Sequence, residues 1–319
     1  MFKKTHLFTL LCLSLLALVP ASGQSTKGVL AGVVKDSAGA VLQGARIELI
    51  PAIRPITTDG QGEFIVPEVD PGSLYVSDGS NAELRLYKGT PLKLAGSIKL
   101  SNDADDMVFD EAHHMLYVGH GGGSAAVPAK VAVIDTVKFA LSANLTMASH
   151  PEGLDLDEQN RRIFANIADS AEVGVIDGAS NTVVAHWNLT GAADNVPMAY
   201  DSARQRLYVA CRIPATLLAL NAATGAEIAR VTTGDGADDL FYDAARGRLY
   251  VISGTGELDV IQADGGTGMT TIGVTHTAPG AKTALFIPAE KNLYVGVPGT
   301  AGKPAEIRVY STAAQKEKP

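Results

Sequence analysis

Apolar residues in this chain come in short runs separated by polar, glycine-bearing turns, and almost no segment sustains the apolar spacing of an amphipathic helix. An aliphatic, aromatic and small triplet recurs as Leu74-Tyr75-Val76, Leu116-Tyr117-Val118, Ile163-Phe164-Ala165, Leu207-Tyr208-Val209, Leu249-Tyr250-Val251 and Leu293-Tyr294-Val295, at spacings of 42, 47, 44, 42 and 44 residues. About nine residues before the middle four lies an apolar run ending in an acid: Met107-Val108-Phe109-Asp110, Leu154-Asp155-Leu156-Asp157, Met198-Ala199-Tyr200-Asp201 and Leu240-Phe241-Tyr242-Asp243. The polar stretch between run and triplet, such as Asp201-Ser202-Ala203-Arg204-Gln205-Arg206, reads as a hairpin turn. A third run follows each triplet, as in Val131-Ala132-Val133-Ile134-Asp135, Val173-Gly174-Val175-Ile176-Asp177, Leu217-Leu218-Ala219-Leu220-Asn221 and Leu258-Asp259-Val260-Ile261. A weaker fourth run, such as Thr182 to Trp187 or Glu227 to Val231, completes the unit.

Four short β-rich runs joined by tight turns and repeated at this period predict an all-β fold, a β-propeller of four-stranded blades around an axis. Six blades is the simplest count, with a gapped seven-fold ring as the alternative. A solenoid is the competing architecture, but its repeats are usually shorter or helical. The copies resemble the surface-layer-like YVTN propeller repeats, in which a tyrosine-valine strand precedes a valine-isoleucine-aspartate strand. The resemblance runs through Leu116-Tyr117-Val118 with Val133-Ile134-Asp135, Phe164-Ala165-Asn166 with Val175-Ile176-Asp177, and Leu207-Tyr208-Val209 with Leu220-Asn221, over residues 74–312. It implies an architecture more than a reaction.

Before the first triplet, the segments from Gly32 to Leu49 and from Thr57 to Pro67 predict three strands around glycine-rich turns. Residues 28–73 resemble the carboxypeptidase regulatory-like domain, a small β-sandwich of the carbohydrate-binding-like type, and the module is placed at 24–73. The resemblance implies no peptidase, and it breaks off at Pro71-Gly72. The first propeller unit lacks an inner strand and the last stops after Ile307-Arg308-Val309-Tyr310 without an outer one, leaving edges that a sheet protein has to cover. Glu63-Phe64-Ile65-Val66 is spaced to serve as the inner strand of the first blade, and Val29 to Val34 or Arg46 to Ile50 could then pair with the last blade to latch the ring. The alternative is a separately folded module, which at this size and without disulfides would be marginal alone.

Composition changes this picture only at the edges. Residues 1–23 read as a secretory signal, with Lys3-Lys4, an apolar run from Leu7 to Val19, and Pro20-Ala21-Ser22-Gly23 as the cleavage zone. That run is shorter than the roughly 20 residues needed to span a bilayer, and the mature chain is expected to be periplasmic, secreted or at the cell surface. Residues 313–319 form a polar tail. Losing Lys3 and Lys4 takes the 26 Lys+Arg to 24 against 34 Asp+Glu, so the charge moves from −8 to −10 and nucleic acid is excluded as a partner. Cys12 leaves with the leader, so Cys211 has no disulfide partner and is expected to be buried.

In a propeller the loops leading into the inner strands share one face around the channel mouth. Here that face carries Asn102-Asp103-Ala104-Asp105-Asp106, His150-Pro151-Glu152, Asp194-Asn195, Asp235 to Asp239 and Pro279 to Thr283. Converging carboxylates would make a negative funnel able to hold a hard cation such as calcium or attract a basic ligand, although none of these strings has the spacing of a calcium loop. The candidate ligand-binding residues are Asp105, Asp106, Glu152, Asn195, Asp238, Asp239 and Lys282; no catalytic residue, metal centre or cofactor is assigned. Gly119-His120-Gly121-Gly122-Gly123-Ser124 leads to another strand rather than a helix, so it is a blade loop and not a phosphate cradle. His113-His114 sit in a hairpin on the opposite rim, and no third zinc ligand accompanies them. Trp187 is expected to pack between blades, with sugar or partner stacking as the alternative. Asn144-Leu145-Thr146 and Asn188-Leu189-Thr190 fit the glycosylation pattern. The leading expectation is an exported, non-enzymatic binding or scaffold protein whose loop face engages a small molecule, carbohydrate, cation or protein. The alternative is a hydrolase or lyase using the same channel mouth.

Overall fold

The structure is a computed structural model that describes residues 73–313, apart from 90, 91, 123, 125, 264–267 and 301. Of the earlier residues it describes the strands β1 (Gly28–Val33), β2 (Arg46–Ile50), β3 (Ile53–Thr57) and β4 (Glu63–Val69). The expected leader, the turns expected within 34–45 and 58–62, residues 51–52 and 70–72, and the tail after residue 313 lie outside the described residues.

Six sheets surround the axis. Blade 1 adds β5 (Ser73–Asp78), β6 (Glu83–Lys88) and β7 (Lys93–Lys99) to β2 and β3. Blade 2 is β8 (Met107–Asp110), β9 (Met115–His120), β10 (Lys130–Asp135) and β11 (Ala140–Thr146). Blade 3 is β12 (Pro151–Asp157), β13 (Arg162–Ile167), β14 (Glu172–Asp177) and β15 (Thr182–Asn188). Blade 4 is β16 (Ala193–Asp201), β17 (Arg206–Ile213), β18 (Ala215–Asn221) and β19 (Glu227–Thr232). Blade 5 is β20 (Ala237–Asp243), β21 (Arg248–Ser253), β22 (Glu257–Ala263) and β23 (Met269–His276), and blade 6 is β24 (Thr283–Ile287), β25 (Asn292–Val297) and β26 (Glu306–Ser311). Consecutive strands pair antiparallel within each blade, and the six-fold count excludes the gapped seven-fold ring.

The periodic sequence follows from burial. The second and third strands of a blade, such as β13 and β14, are covered on both faces by the neighbouring blades and are buried along almost their whole length. The outer strand β15 alternates exposed and half-buried positions, which weakens its apolar signature. The acid ending the inner strands of blades 2 to 5 is almost fully buried and caps the hairpin that follows: Asp157 accepts from the backbone N–H and Nδ2 of Asn160, and Asp201 from the N–H groups of Ala203 and Arg204. The acid ending a third strand does the same one turn later, Asp177 accepting from Ala179 and Ser180 at 2.7 and 3.0 Å.

Six apolar clusters fill the seams between blades, each with side chains from two neighbours. A row of six open at its ends would have five. The sixth joins Leu74 and Val76 of blade 1 to Leu285 of blade 6, with Phe64, Tyr87, Ile287 and Tyr294 packed on it. Cys211 is fully buried in the seam between blades 3 and 4, where burial pushes its thiol up to about 12. Trp187 packs in the same seam, tilted on Phe164 with centroids 5.6 Å apart, and Gly225 of blade 4 lies so close that any Cβ there would enter the indole.

Two expectations for ring closure are corrected. The inner position beside β5 is filled by β2, from Arg46↔Ser77 to Ile50↔Ser73, while Glu63–Val69 pairs with Gly28–Val33 in a separate two-stranded sheet. Spacing along the chain had favoured the strand nearest Leu74, but one from further back competes for the same edge and takes it. Neither β1 nor β2 hydrogen-bonds to blade 6, whose described sheet remains three-stranded. The ring closes through packed side chains, and β3 runs beside β24 at the seam.

Candidate functional site

The inner strands of blades 3, 4 and 5 begin with a register shift, between Pro151 and Leu154, Asn195 and Met198, and Ala237 and Asp239. A bulge re-aims the side chains within it. Glu152 and Asp238 occupy these bulges, on the rim where the inner strands start.

Around that rim the charges fall into two groups. On blades 4 to 6 carboxylates meet strong bases: Arg212 lies 2.5 Å from Asp238 and 3.9 Å from Asp194, and Lys282 lies 3.1 Å from Asp238. Arg212 was not among the expected residues. The signal lay in the hairpin itself, because a second strand ends at the rim where its inner strand starts, here with Ala193↔Ile213 as the last pair.

On blades 2 and 3 the carboxylates gather around an imidazole, and the charge of Arg212 also reaches Glu152. Asp105, His150 and Glu152 each place one ligand atom within 4.8 Å of the others. His150 Nε2 lies 3.7 Å from Asp105 and 3.9 Å from Asp103. Its other nitrogen is 2.6 Å from the Gly121 carbonyl, which can only accept, so Nδ1 carries a hydrogen. Gly121 and Gly122 both have positive φ, and a Cβ on Gly122 would stand 3.0 Å from that of His150. The glycine-rich loop is thus the backing of His150, held by the Gly121 N–H donating to Asn102 at 2.7 Å.

Burial, then the charge of Asp105, pushes the Glu152 carboxyl up to about 7. Burial works against a charged imidazole at His150, but the Asp105 carboxylate, the Gly121 carbonyl and the charges of Glu152 and Asp103 outweigh it and carry the ring up to about 9.

The other expected site residues fall elsewhere. Asp106 is buried, accepting from its neighbour Met107 at 2.7 Å and, across the seam, from the Leu154 N–H of blade 3 at 2.5 Å. Asp239 accepts from Ala284 of blade 6 at 2.6 Å, and Asp155 from Tyr200 of blade 4 at 2.7 Å. These carboxylates tie one inner strand to the next. Asn195 is fully buried and donates to Asn166 and to the Glu172 carbonyl. His120 is buried: Nδ1 accepts from the Ser101 N–H, so Nε2–H donates to Asn144, and burial holds its pKa down. His113 sits against Asp110 at 2.8 Å in its hairpin. A cavity of about 490 Å³ between blades 5 and 6, bordered by Tyr250, Thr275 and Val309, lies on the flank where blade 6 has no described fourth strand, away from the rim.

No family model matches this chain, and no curated protein matches it. Solved structures do. A chain from the crystal structure of a mitotic checkpoint complex aligns with a TM-score of 0.64 and 14% identity, covering 98% of this chain and 100% of that one. A chain of the Kuenenia stuttgartiensis hydrazine synthase aligns with a TM-score of 0.70 and 15% identity, covering 88% of this chain and 98% of that one. At such identity the likeness defines a class, the six-bladed β-propellers, and nothing narrower. Among the described residues no helix is long and apolar enough to cross a membrane.

Proposed function

We propose that this chain is an exported, non-enzymatic binding propeller of the YVTN type, engaging its ligand through the rim where the inner strands begin. The observation that carries the reading is the arc of charge around the channel mouth, contributed by five blades: Asp103 and Asp105, then His150 and Glu152, then Asp194 and Arg212, then Asp238, then Lys282. Charges fixed by paired strands and, at Glu152 and Asp238, by bulges are held in place before a ligand arrives, which lowers the ordering cost of binding. Export rests on the leader expected at 1–23, and the carbohydrate-binding-like resemblance of 28–73 on its sequence pattern. The similarly folded chain from the mitotic checkpoint complex belongs to a protein assembly, which favours a protein partner among the ligand classes.

A thermal-shift and calorimetric screen of the mature chain against acidic and basic peptides, sugars and peptidoglycan fragments tests the reading. A ligand is expected whose affinity falls about tenfold or more in Asp238→Ala and Lys282→Ala, each of which removes one partner of a charge pair. Hits indifferent to both variants, or turnover of a generic ester or glycoside, would overturn it, the latter in favour of a hydrolase.

A further inference from the structure

We propose that Asp105, His150 and Glu152 form a binding site for a divalent transition-metal ion at the junction of blades 2 and 3. The inference deepens the reading of the rim as a binding surface. Three observations converge on it. The first is the donor set: one imidazole nitrogen and two carboxylate oxygens, from segments 45 residues apart in the chain, lie within 4.8 Å of one another. Three atoms within 4.8 Å of one another always leave a point at most about 2.8 Å from every one of them, so contraction of well under 1 Å per ligand would reach the roughly 2.0–2.2 Å of a bound zinc ion.

The second is the support behind the histidine. Nδ1–H is donated to the Gly121 carbonyl at 2.6 Å, which turns Nε2 toward the carboxylates. Metal-binding histidines are oriented in this way by a carbonyl or carboxylate on the remote nitrogen. The support is not part of the acidic group: it comes from the Gly121-Gly122 turn, whose positive φ angles and close approach to His150 let the carbonyl reach the ring.

The third is contrast around the same rim. Asp238 and Asp194 face Arg212, and Asp238 faces Lys282 as well, so those carboxylates are neutralised by bases that cannot ligate. At the blade 2 and 3 junction the group beside Asp105 and Asp103 is a histidine, which can be either a cation or a ligand, and Arg212 acts on Glu152 through its charge. Asp103, with its carboxylate 3.9 Å from Nε2, stands next to the triad as a fourth donor. The side chain of Asp105 is 41% exposed while that of His150 is 14% exposed, giving a site open to incoming ions on one side and backed by protein on the other. An imidazole nitrogen in the donor set favours zinc over calcium, which takes oxygen ligands.

The test uses the untagged mature chain, stripped with a chelator, and isothermal titration calorimetry with Zn²⁺, Mn²⁺ and Ca²⁺ separately. One equivalent of Zn²⁺ is expected to bind, more tightly than Ca²⁺, and to raise the thermal midpoint. His150→Ala and Glu152→Gln should each weaken Zn²⁺ binding about 100-fold, with their metal-free melting still cooperative, while His113→Ala, in the hairpin after β8, leaves it unchanged. Cobalt(II) added to the native chain gives a second readout, d–d absorption bands that His150→Ala abolishes. Absence of stoichiometric Zn²⁺ binding, Zn²⁺ affinity unchanged in both variants, or Ca²⁺ binding tighter than Zn²⁺ would overturn the site. The broader rim reading fails separately, since it depends on ligands lost in Asp238→Ala and Lys282→Ala.

Discussion

A chain lacking residues 24–60 is expected to melt roughly 10 °C or more below the intact mature protein. The deletion removes β2, which covers β5 at five paired positions from Arg46↔Ser77 to Ile50↔Ser73. Five of the six residues of β5 are buried, so the cut leaves a long apolar edge open toward the channel. At a net of about 1 kcal/mol for each ladder hydrogen bond, losing the pairing costs on the order of 5 kcal/mol, and a kilocalorie shifts the midpoint of a protein this large by about 2–4 °C. Differential scanning calorimetry distinguishes the alternatives. A module folded independently of the ring would leave the propeller transition where it is and remove only a separate one.

Asp106→Ala is expected to cost about 3 kcal/mol of stability. Asp106 accepts from the N–H groups of Met107 and, across the seam, of Leu154, and alanine removes this acceptor from a buried place. A buried orphaned donor costs about 1–3 kcal/mol. Chemical denaturation reads the loss as a lower midpoint. The equivalent Asp239→Ala, which frees the Ala284 N–H, should act in the same direction. Both residues were expected at the ligand, so the measurement separates two roles: a variant stable as the parent but defective in binding would return Asp106 to the ligand-binding face.

The architecture was legible because of where the strands lie. Strands such as Leu207-Tyr208-Val209 and Leu217-Leu218-Ala219-Leu220 are sandwiched between blades, so burial on both faces writes an unbroken apolar run that a period search finds. The inner strand of blade 1 was not legible in the same way. Arg46-Ile47-Glu48-Leu49-Ile50 carries no mark that says which sheet edge it will cover, and residue spacing favoured the wrong candidate. At the rim, the string Asp103-Ala104-Asp105-Asp106 shows where acid accumulates but not where each carboxylate points. Two neighbours, Asp105 and Asp106, turn to different tasks, one toward His150 and one into the seam toward Leu154. The pairing of His150 with Gly121 spans 29 residues and two blades, and only the closed geometry of the sheets brings it about.

The claim beneath all of this is that the first and last blades touch. A double-mutant cycle across their seam tests it most directly, with Leu285→Ala combined in turn with Leu74→Ala and Val76→Ala and stability read by denaturant titration. A closed ring predicts a coupling energy of about 0.5–3 kcal/mol for at least one pair, as expected of side chains in contact. Losses that add to within about 0.3–0.5 kcal/mol in both cycles would mean that the two ends of the repeat array never meet.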